Sequence, residues 1–344
     1  MKKTLSILTA GILAFSCTNR DIEFDDYEYQ SIYFPFQSPV RTIILGDESV
    51  GDNAIDLEHA FSIGVTMGGV YENNKDRVVE VALAPELAEN IRNADGDTLE
   101  ILPAEYYTAD FSQVVIPKGS FVGKIRVDLN DIFFEDPLST STHYVIPVRI
   151  TDAGEDTVLS GVPIPIDTVA ENDPRIPDHW EIQPQDYTIF GVKYINETHG
   201  MYLLRGARTN TATDSVTSYS ARFLTSNSMT RLSTVSLTEN VMNIVGGTNK
   251  GGTYQMLLTF NNANKTVTVS QLDTTTVTVN GSGVYFSQDD AESEGYNGIK
   301  HRTVYLDYTY FDPADSTSYN AKDSLVFADT DVTFEDFDVI VFEP

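Results

Sequence analysis

Lys124-Ile125-Arg126-Val127-Asp128-Leu129 alternates charged and apolar residues without a break. A period of two places Ile125, Val127 and Leu129 on one buried face of an extended strand and leaves Lys124, Arg126 and Asp128 in water. Tyr144, Ile146 and Val148 continue the pattern within His143 to Ile150. Working outward, Gln30 to Phe36, Arg41 to Gly46, Ala60 to Met67 and Arg77 to Leu83 are short and β-rich, as are Leu99 to Leu102 and Ser112 to Ile116. Turn residues separate them. Pro85 to Asn93 is the one segment here that reads as a helix, of about two turns. Short strands at near-regular spacing with almost no helix predict an immunoglobulin-like β-sandwich.

A break follows between Asp167 and Gln185, where Pro174, Pro177 and Pro184 sit among charged residues. This composition predicts an inter-domain linker over 171–185. Beyond it the chain is again β but richer in Thr, Ser, Asn and Gly. Expected strands include Tyr187 to Ile195, Met201 to Arg208, Tyr254 to Phe260, Thr266 to Leu272, Arg302 to Phe311 and Val332 to Phe342. Asn261-Asn262-Ala263-Asn264 and Asn280-Gly281-Ser282-Gly283 read as hairpin turns between neighbouring strands. The expected fold is therefore all-β: an N-terminal sandwich over 29–170, then an antiparallel β-barrel or a second β-sandwich over 186–344. A calycin-like barrel is among the candidates, and periodicity does not separate these alternatives.

The N-terminus has its own logic. Met1-Lys2-Lys3 precedes an apolar run, Thr4 to Ala14, that is too short to span a bilayer. Ala14-Phe15-Ser16-Cys17 then sets small residues at −3 and −1 before the one Cys of the 344-residue chain. This pattern predicts a lipoprotein signal peptide over 1–16 with lipid attachment at Cys17. Acylation with more than one chain makes a stable anchor. Residues 17–28 form an acidic tether, with Asp21, Glu23, Asp25, Asp26 and Glu28 close together.

Charge and composition exclude several function classes. The chain holds 22 Lys+Arg against 51 Asp+Glu, a net charge of −29. Cleavage before Cys17 removes Lys2 and Lys3 and makes the balance still more acidic. Such a surface repels phosphate backbones and anionic headgroups, so no nucleic-acid partner is expected, and membrane contact is expected through the anchor alone. One Cys cannot form an intramolecular disulfide or a zinc cluster. The five histidines lie far apart, no Gly-x-Ser-x-Gly elbow occurs, and nothing marks a catalytic carboxylate pair. No catalytic residue, metal or cofactor is assigned, and the chain is expected not to be an enzyme.

Two sets of motifs carry a family resemblance. Leu102-Pro103-Ala104-Glu105-Tyr106-Tyr107-Thr108, Val115-Ile116-Pro117-Lys118-Gly119-Ser120, the strand Lys124 to Leu129 and Tyr144 to Ile150 resemble the N-terminal β-sandwich of Bacteroidota glycan-utilisation lipoproteins. A similar module precedes some family-18 endoglycosidases. Val192-Lys193-Tyr194-Ile195-Asn196, His199-Gly200-Met201-Tyr202 and Arg205-Gly206 resemble the C-terminal domain often paired with it. The acidic stretch after Cys17 resembles the export signal that sends such lipoproteins to the outer face of the outer membrane. The resemblance implies a non-enzymatic, surface-exposed, glycan-binding protein. It also implies partners: a TonB-dependent transporter and its SusD-like lipoprotein. The alternative is a structural or adhesion module that docks proteins.

A sugar site needs aromatic faces and neighbouring carboxylates. Trp180, at the edge of the expected linker, is one candidate platform, with inter-domain packing as its other reading. Tyr296 is the aromatic residue of the polar loop Asp289 to Gly298 and a candidate binding tip. Alternation along Arg302 to Phe311 puts Tyr308 and Tyr310 in the core and turns Tyr305 and Asp307 outward, as candidate ligand contacts. Asn196-Glu197-Thr198 matches a glycosylation sequon, expected to be idle.

Overall fold

The structure, a computed structural model, describes residues 29–47, 51–165, 172–244, 254–272 and 277–342. The expected signal peptide, Cys17 and the acidic tether lie outside the described residues. The chain is nearly all β, with an N-terminal β-sandwich and a C-terminal eight-stranded barrel.

In chain order the main sandwich strands are β1 (Ser31–Tyr33), β2 (Pro39–Ile44), β3 (Ala60–Gly68), β4 (Arg77–Leu83), β5 (Tyr107–Ala109), β6 (Gln113–Ile116), β7 (Val122–Leu129), β8 (Tyr144–Asp152) and β9 (Tyr187–Ile195). One sheet runs β1-β3-β7-β5 and the other β2-β9-β8-β4-β6. Their inner faces meet over Ile63, Val65, Val79, Val81, Ile146, Val148 and the predicted triplet Ile125, Val127 and Leu129. The alternating segment Lys124 to Leu129 is thus a half-buried strand in the first sheet.

β8 and β9 behave differently, because both of their faces are covered. Tyr144, Ile146 and Val148 face the sheet-sheet core, while Val145, Tyr187 and Ile189 lie in a second cluster on the outer side. Ala84, Leu87, Ala88, Ile91 and Leu99 cover that side, and Phe337, Val339 and Val341 pack against it. The expected helix at Pro85 to Asn93 is instead a 3-10 turn, Pro85–Ala88, followed by the short strand Ile91–Arg92. Edge pairing of Ile91–Arg92 with Ile340–Val341 wins over helical continuation.

Two assignments of chain to domain differ from expectation. Tyr187–Ile195, read as the first strand of the second domain, is a central strand of the sandwich. It pairs antiparallel with β8 from Tyr187↔Arg149 to Val192↔Tyr144, and parallel with β2 from Gly191↔Val40 to Ile195↔Ile44. Local periodicity identifies a strand but not its partners. The proline-rich stretch before it consequently lies within the sandwich. Its described part folds on itself: Arg175 pairs with Asp173 and donates to the carbonyls of Glu86, Leu87 and Glu89. The segment Val332 to Phe342 also leaves the barrel. Glu335–Asp336 pairs with β2, and Lys193 binds Glu335 at 2.6 Å.

The two domains meet at Asn196 to His199. Asn196 is buried, and its carboxamide donates to the carbonyls of Ser236 and Glu239 and to Asn240 Oδ1. Thr198 donates to Asn240 Oδ1 at 2.6 Å, and Tyr202 donates to the Thr198 carbonyl. The sequon is therefore structural, since the nitrogen that would carry a glycan is committed inside the protein. His199 Nδ1 accepts from the Thr234 amide at 3.1 Å. Burial, helped by Arg231, Lys193 and Arg302, pushes the His199 imidazole down to about 4.

The barrel strands are β10 (Gly200–Asn210), β11 (Ser228–Ser236), β12 (Glu239–Asn243), β13 (Gln255–Asn261), β14 (Thr266–Gln271), β15 (Val279–Phe286), β16 (Thr303–Asp312) and β17 (Thr317–Asp329). Each pairs antiparallel with the next, and β17 closes onto β10 from Met201↔Asp329 to Asn210↔Tyr319. This is the up-and-down barrel among the two architectures expected. Asn261 to Asn264 forms the expected turn between β13 and β14. Gly281 and Gly283 do not form a turn. They sit inside β15, where a Cβ on Gly281 would collide with Tyr308 on β16, so glycine permits the close approach at this bend.

Candidate functional site

The barrel interior changes character along its axis. Near the sandwich it is packed with Tyr202, Leu232, Met242, Leu258, Phe260, Val267 and Val304. At the opposite end the inward positions of β16 and β17 carry Tyr308, Tyr310, Asp312, Tyr319 and Asp323. The hairpins 211–216 and 313–316 border this end. Residues 245–253 and 273–276, between strands that finish at the same end, lie outside the described residues.

These side chains form a connected set. Asp323, buried, accepts hydrogen bonds from Tyr308, at 2.8 Å, and from Tyr219. Burial raises the Asp323 carboxyl above the ordinary carboxylate value, and burial with the Asp323 charge raises both phenols. Gly206 faces Asp323 across the β10–β17 seam, and a Cβ there would collide with this carboxylate and with the Tyr219 ring. One step outward, the Tyr310 and Tyr319 rings stack at 5.3 Å between centroids and 20°. The Arg208 guanidinium lies over Tyr319 at 4.7 Å and donates to the Tyr310 hydroxyl at 3.0 Å. Tyr319 donates to Asp315 at 2.6 Å, and Tyr254 to Asp312 at 3.0 Å. Asp315 is exposed, and Arg208 and Tyr254 are half-buried, so the outermost members of the set reach solvent.

The residues expected as ligand contacts lie elsewhere. Trp180 is half-buried in the sandwich, where its indole donates to the Asp173 carbonyl at 2.8 Å. Tyr296 and Tyr305 belong to the barrel's outer wall and the 287–302 loop, at the end near the sandwich. Tyr305, Ser324 and Arg205 are register neighbours across three strands, and all three converge on Glu294 from that loop. The bonds from Ser324 and Arg205 hold the Glu294 carboxyl below its usual range despite partial burial, and burial pushes Tyr305 up to about 12. Tyr296 stacks on His301 at 4.1 Å and donates to the Phe327 carbonyl. Asp307, outward as expected, pairs with Lys322 at 2.8 Å. The structure thus gathers Tyr296 and Tyr305 around a pinned loop, and Trp180 stands apart from them. Within the acidic part of that loop, Asp290 is held by Lys265 and Ser287.

Sequence reading placed Tyr308 and Tyr310 in the core, and they are buried inside the barrel. It did not offer Arg208, Tyr219, Tyr254, Asp312, Asp315, Tyr319 or Asp323 as ligand contacts. One signal was present: Asp323 shares its register with Tyr319, Ala321, Leu325 and Phe327, so an acid occupies the inward phase of an apolar strand.

The fold and this tyrosine-lined barrel end define a class of two-domain β proteins in which a sandwich carries a small closed barrel. Two family models match the chain. One, described as an N-terminal domain, covers residues 27–157; the other, a domain of unknown function (DUF5627), covers residues 197–331. The second begins at the junction seen in the structure. A Bacteroides ovatus protein of unknown function is 30% identical, with a TM-score of 0.80 over 92% of this chain and 100% of that one. The chain belongs to the family of that protein. A multidomain B. ovatus protein including DUF1735 is 14% identical, with a TM-score of 0.44 over 89% of this chain and 97% of that one. A Bacteroides thetaiotaomicron protein described as an auxiliary nutrient binding protein is 14% identical, with a TM-score of 0.39 over 83% and 89%. No curated protein matches the chain.

Proposed function

We propose that the protein is a non-enzymatic surface lipoprotein, anchored at Cys17 to the outer membrane, that binds a glycan at the end of its barrel remote from the sandwich. The bound sugar is handed to an outer-membrane uptake system of a TonB-dependent transporter and a SusD-like lipoprotein. The lipobox pattern, the acidic tether and the motif resemblance support the location and the partners. The observation that carries the binding reading is the arrangement at Tyr319. Over the buried Tyr310–Tyr319 stack, the half-buried Arg208 and Tyr254 and the exposed Asp315 supply hydrogen-bond partners for the hydroxyls of a pyranose. This end is opposite the domain junction, so the sandwich serves as a spacer.

Affinity electrophoresis and calorimetry against a panel of plant and host glycans test the proposal. At least one glycan is expected to bind, and Asp315→Ala and Tyr254→Ala are each expected to weaken it about tenfold. Absence of binding to every glycan counts against the reading, and turnover of a bound glycan overturns its non-enzymatic part.

A second reading, a module that docks protein partners, has one observation in its favour. Phe36 and Phe334 are 50% and 63% exposed with ring centroids 4.7 Å apart, beside an apolar groove lined by Phe34, Pro39 and Phe190. A pull-down that returns one partner without sugar, and loses it in Phe36→Ser, favours this reading.

A further inference from the structure

We infer that the groove beside Phe36 and Phe334 is a binding site for a small phenol, a free molecule of one aromatic ring carrying one hydroxyl; the inference is independent of the glycan reading. The groove opens between the two sheets of the sandwich and holds about 200 Å³. Ile63 of β3 lines it from the first sheet, and Val40 of β2 with Thr188 and Phe190 of β9 line it from the second. Phe34, Ile63 and Thr188 are each 1% exposed, so the floor lies at the depth of the core. Phe36 and Phe334 stand exposed at the rim.

Size and lining name the occupant. An apolar cavity of about 150 Å³ takes one benzene ring, so this groove takes one ring with a short substituent. The phenylalanine rings around it favour an aromatic partner. One polar group answers the substituent: Thr188 shares its face of β9 with Phe190, and its hydroxyl is shielded from water with no hydrogen-bond partner among the described residues. Such a group is costly to bury, and a staggered rotation about χ1 carries it to the position of the methyl group for an occupant to meet. Arg41, also in the lining, is committed to Asp56 and to the Thr42 carbonyl, which suits a ligand that is neutral at pH 7. A pyranose does not fit this chemistry, because its hydroxyls would leave water for an apolar wall. A peptide fits less well than a free molecule, since its amides would meet Pro35 and Pro39, which have no N–H to offer.

The test follows 4-methylphenol by NMR on the full-length protein. A Kd of about 1 mM or tighter is expected. The methyl resonances of Ile63 and Val40 are expected to shift, while those of Leu258, inside the barrel, stay in place. Toluene is expected to bind at least about threefold more weakly, because it leaves the Thr188 hydroxyl unanswered. Thr188→Val keeps the shape of the side chain and breaks no hydrogen bond of the sandwich, so the variant is expected to fold. It is expected to weaken 4-methylphenol about threefold and to leave toluene unchanged. Phe334→Ala is expected to weaken both. No shift at Ile63 and Val40 with about 10 mM 4-methylphenol, tenfold above the expected Kd, overturns the inference. A Thr188→Val variant that weakens both probes equally, or neither, overturns the role of the hydroxyl and with it the phenol. Tighter binding of N-acetyltyrosine methylamide than of 4-methylphenol overturns the free molecule in favour of a partner's tyrosine side chain.

Discussion

The hydroxyl of Tyr308 donates to the carboxylate of Asp323 at 2.8 Å, inside the barrel and away from water. Tyr219 donates to the same carboxylate from the segment after β10. Two buried groups and the half-buried Tyr219 hydroxyl are thereby satisfied together.

Asp323→Ala is therefore expected to cost about 3 kcal/mol or more, since two phenols lose their acceptor. Asp323→Asn keeps an oxygen in place and is expected to cost about 1 kcal/mol. Urea denaturation of the two variants checks this, and equal midpoints would sink the argument.

Acidification is expected to weaken the domain junction through His199. Its imidazole titrates near 4 in the folded chain against 6.5 when unfolded, so the unfolded state takes up the proton first as pH falls. The stabilisation from the neutral ring is complete above pH 6.5 and disappears between pH 6.5 and 4. The difference corresponds to about 3 kcal/mol. NMR titration of the His199 ring checks the midpoint, and protonation near 6.5 contradicts it. The pH dependence of unfolding is expected to flatten in His199→Gln.

Gly206→Ala is expected to destabilise the barrel by about 2 kcal/mol or more. The added methyl meets the Asp323 carboxylate and the Lys322 carbonyl, and the latter is backbone that cannot step aside. A melting temperature within a degree of wild type shows that the seam has slack the structure does not display.

Removal of residues 332–344 is expected to lower the melting temperature by about 5 °C or more. It takes away the pairings with β2 and with Ile91–Arg92, the Lys193–Glu335 ion pair and the cover given by Phe337 and Val341. Amide exchange is expected to rise at Ala84 to Leu99 and in β9. Unchanged exchange there contradicts the role assigned to the tail.

Much of the fold is legible in the residues, and the limits have physical causes. Period-two alternation exposes half-buried strands such as β7 directly. It is silent for β9, because a strand covered on both faces loses its alternation, and because pairing partners are set by the whole sheet. Gly281 and Gly283 read as a turn because glycine marks both chain reversal and close strand approach. The Tyr106 and Tyr144 of the two quoted motifs meet on Asp136, at 3.0 and 2.5 Å, so those motifs record a structural bond of the sandwich and not a ligand site. The candidate site was less legible than the fold. Its parts lie on β10, β13, β16 and β17, which become neighbours only when the barrel closes.

The tail that crosses from barrel to sandwich also sets an order of events. Residues 332–342 are translated after every barrel strand, yet they cover Val145, Tyr187 and Ile189 on the outer side of the β8–β9 pair. The domain made first is thus the last to be finished. Until the tail has been made and has docked, the nascent sandwich carries an uncovered apolar wall, which is the kind of surface that holdase chaperones recognise. Sealing of the first domain therefore waits on synthesis of the whole of the second.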